Sequence, residues 1–209
     1  MKQVFGRTNI KVPDRWLRLI ADEDPSALAR ATLEAGLPLD VSSQPALWGG
    51  HLRREPAFES TLIMARSSTD FERAADQEHV VHLIHAHLIE VLSSLGRPQL
   101  DFYFVRIRQR LQEFQINGIL QALEMAREDG LIRFQGLAAE ASALVVRSVW
   151  QGHDGFEALL ASDKTVAELV PIAMERRVGV LYEGQVGEPR LISVRSVADV
   201  EAVVGPARV

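Results

Sequence analysis

The sequence predicts an α/β fold in which parallel β-strands alternate with α-helices and close into one barrel domain. Apolar strand candidates alternate with helical stretches along most of the chain, which is typical of a parallel sheet. The strands are apolar on both faces, as buried parallel strands are. The 209 residues hold about eight strand candidates and no linker rich in Gly, Pro or Ser. This favours a barrel over an open sheet, and one domain, 1–209, over two.

The first half of the chain is predicted to contain two helices and two short strands. "DPSALARATLEAG" is predicted as a helix with Asp24 as its N-cap, Pro25 at its first position and Gly36 after its end. The segments "LPLDV" and "TLIMAR" are predicted as strands. A long helix follows, "DQEHVVHLIHAHLIEVLSSLG", and ends at Gly96.

The second half continues with the strand "LDFYFVRI", the helix "FQINGILQALEMAREDG" and the strand "LIRFQGLA". The alternation is less regular through "ASALVVRSVW", "GFEALLAS" and "TVAELVPIAMERR", and it finishes with "VGVLYEG", "PRLISVR" and "VADVEAVV". In such a barrel the functional site lies at the carboxyl ends of the strands, here called the mouth. Arg106, near the end of its strand, is predicted to lie there.

The composition excludes several classes of function. A net charge of -5 argues against a nucleic-acid-binding protein, because phosphate contacts need a basic surface. The chain has no Cys, so disulfides and thiolate chemistry are excluded. No apolar run approaches the roughly 20 residues that span a bilayer, and the N-terminus lacks the apolar core of a signal peptide. We therefore expect a cytoplasmic protein without membrane contact.

Five segments together resemble the aldo/keto reductase family. "FGRTNIKV" is similar to that family's N-terminal hairpin, and "LARATLEAGLPLDVSSQPALWGG" to its first helix and second strand. "LDFYFVRI" resembles the fourth strand, "ALEMAREDGLIRFQGLAAE" the helix and strand that follow, and "VRSVADVEAVV" the C-terminal Arg-Ser segment. The resemblance implies a (β/α)8 TIM-barrel-like fold with an N-terminal β-hairpin, shortened or incomplete near the C-terminus.

The family's hydride chemistry uses a Tyr, a Lys, an Asp and a His, and this chain departs from all four. The Tyr position matches Trp48, the Lys position Arg66 and the His position Arg106. The Asp position falls on Val41, and Asp40, one place earlier, would substitute only if the strand carried a bulge. Because indole has no useful acidic proton and a guanidinium stays charged, the resemblance predicts that ordinary reductase activity is lost.

The cofactor positions also diverge. The Ser-Asn pair of the family matches Ala138 and Ala139, and a later Gln matches Leu160. Arg195 and Ser196 remain as candidates for binding NADP, whereas the Gln and Asn positions that follow them are Asp199 and Val203. We expect no nicotinamide cofactor, with NADP as the alternative.

The segment between the last two strands, "QVGEP", is shorter than the dozen or more residues of a parallel crossover. Either the two strands pair antiparallel or the barrel is incomplete. An antiparallel last strand would carry Arg195 to the end opposite Arg66 and Arg106. An incomplete barrel would leave an edge for a second subunit to cover.

Arg66 and Arg106 are the predicted ligand-binding arginines, because they end two adjacent strands at the mouth. Two arginines there suit the carboxylate or phosphate of a small molecule, held by bidentate hydrogen bonds. Asp40 and Glu183 are the candidate general bases, and Arg106 completes the candidate catalytic set. The alternative is a structural network in which the arginines pair with Asp40, Glu140 or Glu183.

Ser42, Ser43 and Trp48 are expected on the loop after the second strand. Ser42 and Trp48 are further substrate-binding candidates, and Trp48 is either a pocket wall or a core plug. Arg108 and Arg110 are expected in water.

One helix carries His79, His82, His85 and His87. These four side chains spread too widely around the helix to converge on one metal ion, so a solvated face is predicted and no metal site.

Three hypotheses follow. The chain is a non-redox enzyme, an isomerase, lyase or cyclase, that acts on a small anionic molecule. Or it is a non-catalytic accessory subunit that binds a partner protein or a second copy, as the resemblance allows, since the regulatory subunit of glutamate–cysteine ligase and the potassium-channel β subunits resemble reductases. Or it is an NADP-dependent reductase with a rebuilt site.

Overall fold

The computed structural model describes residues 2–20, 24–151 and 153–205. In these ranges the β-strands are β1 (Lys2–Val4), β2 (Lys11–Pro13), β3 (Arg15–Leu19), β4 (Leu39–Asp40), β5 (Ile63–Arg66), β6 (Leu100–Ile107), β7 (Ile132–Ala139), β8 (Ala158–Ser162), β9 (Gly179–Glu183) and β10 (Arg190–Val194). The α-helices are α1 (Pro25–Glu34), α2 (Pro45–Leu52), α3 (Gln77–Leu95), α4 (Glu113–Glu128), α5 (Ala143–Trp150), α6 (Val166–Glu175) and α7 (Val197–Val204).

The barrel is closed and all its strands are parallel. The strand order is β10, β3, β4, β5, β6, β7, β8, β9, and β9 pairs back to β10. The first two strands, β1 and β2, form a separate antiparallel hairpin. The predicted fold class is confirmed: an α/β barrel of the (β/α)8 type, with an N-terminal hairpin.

The first barrel strand, β3, was not predicted from the sequence. Its five residues follow the hairpin directly, and the turn residues Pro13 and Asp14 conceal its start. Trp16 packs inside the barrel, whereas Leu17 and Leu19 pack against the surrounding helices. This alternation also directs Arg18, two residues after Trp16, toward the barrel interior.

The end of the barrel corrects the expectation of an antiparallel or missing strand. β10 is parallel to both neighbours, but it pairs with β9 only through Arg190 and Tyr182, and with β3 along all five of its residues. Because β10 begins where β9 is ending, segment 184–189 needs only to cross between adjacent strands. The barrel is therefore shortened by one helix without being opened, and Arg195, just after β10, lies at the mouth.

Aromatic side chains fill the opposite end of the barrel. Phe5, from the hairpin, lies edge-on to Phe102 with ring centroids 5.5 Å apart, and 5.8 Å from Trp16. Its ring also covers the start of β9, where a Cβ on Gly179 would come within 2.6 Å of it. Since this end is packed with apolar rings, the charged side chains that face the barrel interior lie at the mouth.

The helix ends follow their sequence signals. Asp24 caps α1 by accepting from the amides of Ser26 and Ala27, both at 3.0 Å, and α3 ends at Gly96 with a φ of 64°. The segments that were less regular in sequence become α5, β8 and α6. Among the described helices, none is both long and apolar enough to cross a membrane.

Candidate functional site

Six charged side chains gather at the mouth. Each lies within one residue of the end of a strand. Arg66, Arg106 and Glu183 each follow an interior residue by two positions, Met64, Phe104 and Leu181 respectively, and so face the same side. The cations are Arg18 on β3, Arg66 on β5 and Arg106 on β6, and the anions are Asp40 on β4, Glu140 after β7 and Glu183 on β9. The three positive and three negative charges balance.

Asp40 is the buried centre of this group. Its side chain is 0% exposed, and its Oδ2 lies 2.9 Å from Nε of Arg18 and 3.7 Å from Nε of Arg66. Its Oδ1 accepts from the backbone amide of Ser42, at 2.9 Å, and from the Ser42 hydroxyl. Burial alone would raise the pKa of Asp40, but the charges of Arg66 and Arg18 and the two Ser42 hydrogen bonds lower it.

Arg18 joins Asp40 to Glu183. Its Nε donates to Asp40 and its Nη1 to Oε1 of Glu183. Burial acts to lower the pKa of Arg18, whereas the hydrogen bond and charge of Glu183 and the charge of Asp40 raise it. The guanidinium therefore stays charged between two carboxylates, and its Nη2 is buried without a hydrogen-bond partner among the described residues.

Glu140 joins the other two arginines. Arg106 donates to it through both Nε and Nη2, at 2.8 and 2.9 Å, which is the bidentate fork typical of Arg–carboxylate pairs. Nη1 of Arg66 lies 3.4 Å from the same carboxylate. The group is therefore a chain of alternating charges from Glu183 through Arg18, Asp40, Arg66 and Glu140 to Arg106.

Two serines hold the strand ends in place beneath these charges. The hydroxyl of Ser42 accepts from the backbone amide of Arg66 at 2.8 Å, and the hydroxyl of Ser67 accepts from that of Arg106 at 3.1 Å. Ser42 also binds Asp40, so it connects the carboxylate directly to the strand that carries Arg66.

Several surface cavities lie away from the mouth. Three of them have volumes of about 740, 570 and 560 Å³, and the charged group lines none of the three. The mouth is occupied by its own ion pairs, so a ligand there would have to exchange with one of them.

Comparison with known proteins shows what this architecture resembles. No family model matches the sequence. An aldo/keto reductase from Bombyx mori, solved in complex with NADP, superposes with a TM-score of 0.71 at 12% identity, over 100% of this chain and 88% of that one. An aldo/keto reductase from Brucella melitensis gives a TM-score of 0.67 at 11% identity, over 88% of this chain and 72% of that one. The chain has an aldo/keto-reductase-like barrel fold.

One curated protein also shares local similarity. The β subunit of DNA-directed RNA polymerase from Thermosipho melanesiensis is 26% identical over 138 residues, which is 62% of this chain. The chain spans 12% of the length of that subunit, so this similarity concerns a segment only.

In this aldo/keto-reductase-like barrel, Asp40 faces inward without a bulge. It pairs with Arg18 on one side and Met64 on the other in regular parallel register. Val41 packs in the core between barrel and helices. The expectation that Asp40 would need a bulge to replace the family's Asp is therefore wrong. Asp40, and not Val41, takes the inward position in the regular strand.

Trp48 does not line the mouth of the aldo/keto-reductase-like barrel. It lies on α2 rather than on a loop, is 0% exposed, and packs in the core between the barrel and its helices. The pocket-wall interpretation is wrong, because an eight-residue helix starting at Pro45 turns this indole away from the strand ends. The role of Ser42 remains a prediction, whereas its place beside Asp40 is observed.

Arg195 and Ser196 lie at the start of α7, at the mouth. The Asp199 carboxylate accepts from the backbone amides of both, at 2.7 and 3.1 Å, and the Ser196 hydroxyl accepts from that of Asp199 at 3.2 Å. This capping box pairs the two backbone amides with a carboxylate, so a negative charge already lies at the start of α7.

Sequence analysis missed Arg18, the residue with contacts to both Asp40 and Glu183. The signal that would have found it is the two-residue spacing of Trp16 and Arg18 in "RWLRL", once that segment is assigned to a strand. Glu140 was named only as an alternative partner, and it is the carboxylate that both Arg66 and Arg106 contact.

The histidine-rich helix is partly as predicted. His79 and His82 are exposed on α3, but Nδ1 of His87 lies 2.9 Å from the hydroxyl of the buried Tyr103. Burial lowers the pKa of His87, opposed by the charges of Glu90 and Asp70. Among the described residues no three His, Asp or Glu side chains are arranged to hold a metal ion.

Proposed function

We propose that this barrel is a cofactor-independent, non-redox enzyme, an isomerase, lyase or cyclase, that binds a small anionic molecule at its mouth. The observation that carries the proposal is the convergence of Arg18, Arg66 and Arg106, from three different strands, on one connected group of charges. Guanidinium forks match the geometry of carboxylates and phosphates, and the strand ends hold these forks in fixed positions.

The outer part of the group is where a ligand would enter. The side chains of Arg106 and Glu140 are 33% and 23% exposed, against 12% for Arg18 and 0% for Asp40. A ligand carboxylate or phosphate would replace Glu140 on Arg106 and keep the same pair of hydrogen bonds. Exchange of one anion for another keeps the partly buried guanidinium of Arg106 paired throughout.

Glu183 is better suited than Asp40 to transfer a proton. Asp40 is completely buried, and the charges of Arg66 and Arg18 help to lower its pKa, which makes it a weak base. Glu183 is 36% exposed and, among the charged groups that the structure describes, contacts Arg18 alone. In this proposal Asp40 positions Arg18 and Arg66, Arg106 contacts the ligand, and Glu183 is the base.

The absence of hydride chemistry is part of the proposal. The mouth side chains that replace the family's Tyr, Lys and His do not include a tyrosine: Tyr103 packs outside the barrel, and Tyr182 alternates with the interior Leu181 and so faces outward. Asp199 at the start of α7 also opposes a cofactor phosphate. The third hypothesis, a reductase with a rebuilt site, is favoured by one observation, the position of Arg195 at the mouth.

A non-catalytic accessory subunit is the second candidate. It is favoured by the charge balance of the six-residue group at the mouth, since Arg18, Arg66 and Arg106 each already have a carboxylate partner. Leu144 on α5 and Met174 on α6 are 74% and 72% exposed and would supply apolar contacts to a partner protein or a second copy.

The experiment is a titration of the purified protein with small carboxylates and phosphates, and separately with NADPH and NADP, read as thermal shift and nicotinamide fluorescence. We expect the chain to bind at least one small anion and neither dinucleotide. Arg106→Gln should weaken anion binding at least about tenfold, or 1.4 kcal/mol. The matched control is Arg108→Gln, an exposed arginine two residues along that contacts Thr69 and not the mouth.

Catalysis is tested on whichever anion binds, by following it by NMR for conversion to product. Glu183→Gln should abolish turnover and leave binding largely intact. Binding without turnover would support the accessory subunit instead. NADPH binding in the low micromolar range (about -8 kcal/mol) that Arg195→Gln abolishes would restore the reductase.

A further inference from the structure

A second group of arginines lies at the end of the barrel opposite the mouth. Arg176 and Arg177 follow α6 and precede the start of β9, so they belong to the end where the strands begin. With Arg147 of α5 they line a cavity of about 560 Å³ between the two helices, and its other lining residues are Gln151, Asp154, Ile172 and Glu175. A cavity of this volume has the size of a small-molecule site.

Within the described ranges, the arginines of this cavity have no carboxylate partner. None of the salt bridges among the described residues involves Arg147, Arg176 or Arg177. Nε of Arg147 is buried and has no hydrogen-bond partner in the described part of the chain. This contrasts with Arg18, Arg66 and Arg106 at the mouth, each of which has a carboxylate within 4.0 Å.

Arg177 holds a backbone conformation that usually belongs to glycine. Its φ is 55°, and the amides of Arg177 and Val178 close the end of α6 on the carbonyls of Met174 and Ala173, at 3.1 and 2.8 Å. This is a Schellman motif, in which glycine is the common residue because a Cβ is strained there. The ends of α1, α3 and α4 follow the rule with Gly36, Gly96 and Gly130. Arg177 therefore presents its side chain at the cavity at a cost in backbone stability.

The remaining charges leave the cavity net positive. Asp154 is paired with Arg7 at 3.2 Å. Arg176 donates to the carbonyls of Trp150 and His153, at 2.9 and 3.5 Å, and so offsets the negative end of α5. Arg147 and Arg177 are then opposed only by Glu175, which is exposed.

We propose that this cavity is a binding site for a phosphate group, separate from the mouth. Two guanidinium groups from different helices would hold a tetrahedral dianion from two sides by charge-assisted hydrogen bonds. The oxygens of a phosphate group can accept from both guanidinium groups at once, whereas a carboxylate offers one pair of oxygens in a single plane, so a phosphate group is the better match. The phosphate group that binds would belong either to free inorganic phosphate or to a phosphorylated small molecule.

The test is calorimetric titration of the full chain with inorganic pyrophosphate and with succinate at constant ionic strength. We expect pyrophosphate to bind and succinate to bind at least about tenfold more weakly. Arg147→Gln should weaken pyrophosphate binding at least about tenfold, whereas Arg106→Gln at the mouth and Arg108→Gln should leave it unchanged. Repeating the titration with inorganic phosphate and with a phosphorylated sugar distinguishes the two sources by which binds more tightly.

Arg177→Gly separates a loss of binding from a loss of folding. Glycine removes the strain of the left-handed backbone conformation, while the guanidinium group is lost. We expect its Tm without ligand to rise and its pyrophosphate affinity to fall. The proposal is overturned if pyrophosphate does not bind, if Arg147→Gln and Arg177→Gly bind as the parent does, or if Arg106→Gln abolishes the binding. The last result would place the anion at the mouth and support the proposed function instead.

Discussion

Asp40 shows how one carboxylate organises the mouth. It lies between Arg18 and Arg66, and Ser42 supplies two further hydrogen bonds. Burial of a carboxylate disfavours its charged form, but here two positive charges and two donors outweigh burial, so the pKa of Asp40 is lowered. The ends of these strands are therefore joined by ion pairs between side chains as well as by the backbone hydrogen bonds of the sheet.

Replacing Asp40 should be the most destabilising single change at the mouth. Asp40→Asn keeps the shape and removes the charge that Arg18 and Arg66 share, so we expect the free energy of unfolding to fall by about 3 kcal/mol in a urea titration at neutral pH. The control is Glu55→Gln, whose pair with Arg30 at 3.4 Å is exposed, and which should cost less than about 1 kcal/mol.

The same variant has a predictable dependence on pH. Because the pKa of Asp40 is lower folded than unfolded, its stabilisation is present above the unfolded value of about 3.9 and is lost as pH falls through the folded value. The difference in unfolding free energy between the parent and Asp40→Asn should therefore shrink below about pH 4. A difference that stays constant with acidification would contradict the charged network.

His87 gives a second pH prediction at a separate place. Burial beside Tyr103 lowers its pKa, so below about pH 6.5 the unfolded chain binds a proton that the folded chain does not. The free energy of unfolding should fall as pH drops below that value, and His87→Gln should remove part of the fall. Denaturation at about pH 7.5 and 5.5 measures it, with the exposed His82→Gln as the control that keeps the parent's pH dependence.

At the scale of elements, α1 depends on its N-cap. Asp24 accepts from two amides of the first turn, which would otherwise be unpaired. Asp24→Ala should lower the free energy of unfolding by about 1 kcal/mol, and Asp24→Asn, which keeps the capping oxygen, should lower it much less. Equal losses in the two variants, measured by urea denaturation, would show that the cap does not stabilise the helix.

At the scale of the whole molecule, the hairpin closes the barrel opposite the mouth. Phe5 is 2% exposed and packs on Trp16, Phe102 and the backbone at Gly179. Phe5→Ala should lower the free energy of unfolding by about 3–5 kcal/mol, because it leaves a cavity in the core at the end of the barrel opposite the mouth. Its neighbour Val4 is 55% exposed, so Val4→Ala should change stability by less than about 0.5 kcal/mol. Thermal and chemical denaturation compare the two.

Individual residues show where sequence patterns were sufficient. Arg66, Arg106 and Glu183 were placed correctly at the mouth, because each follows an apolar strand whose two-residue alternation shows which side chains face inward. Trp48 was misplaced, because the helix that carries it is short and begins after several turn residues. Arg18 was missed, because its strand is five residues long and lies directly after a hairpin.

The sequence by itself determined the alternation of strands and helices and the inward positions at the strand ends. These are local properties, since periodicity and capping act within a few residues of the chain. Only the tertiary structure decided how the barrel closes and which charges pair. The stagger of β10 against β9 and β3 depends on strands at both ends of the chain, and it allows a six-residue connection between parallel strands where an antiparallel pair or an incomplete barrel was expected. Likewise Arg18 meets Glu183 across 165 residues, a contact that exists only after the barrel has closed.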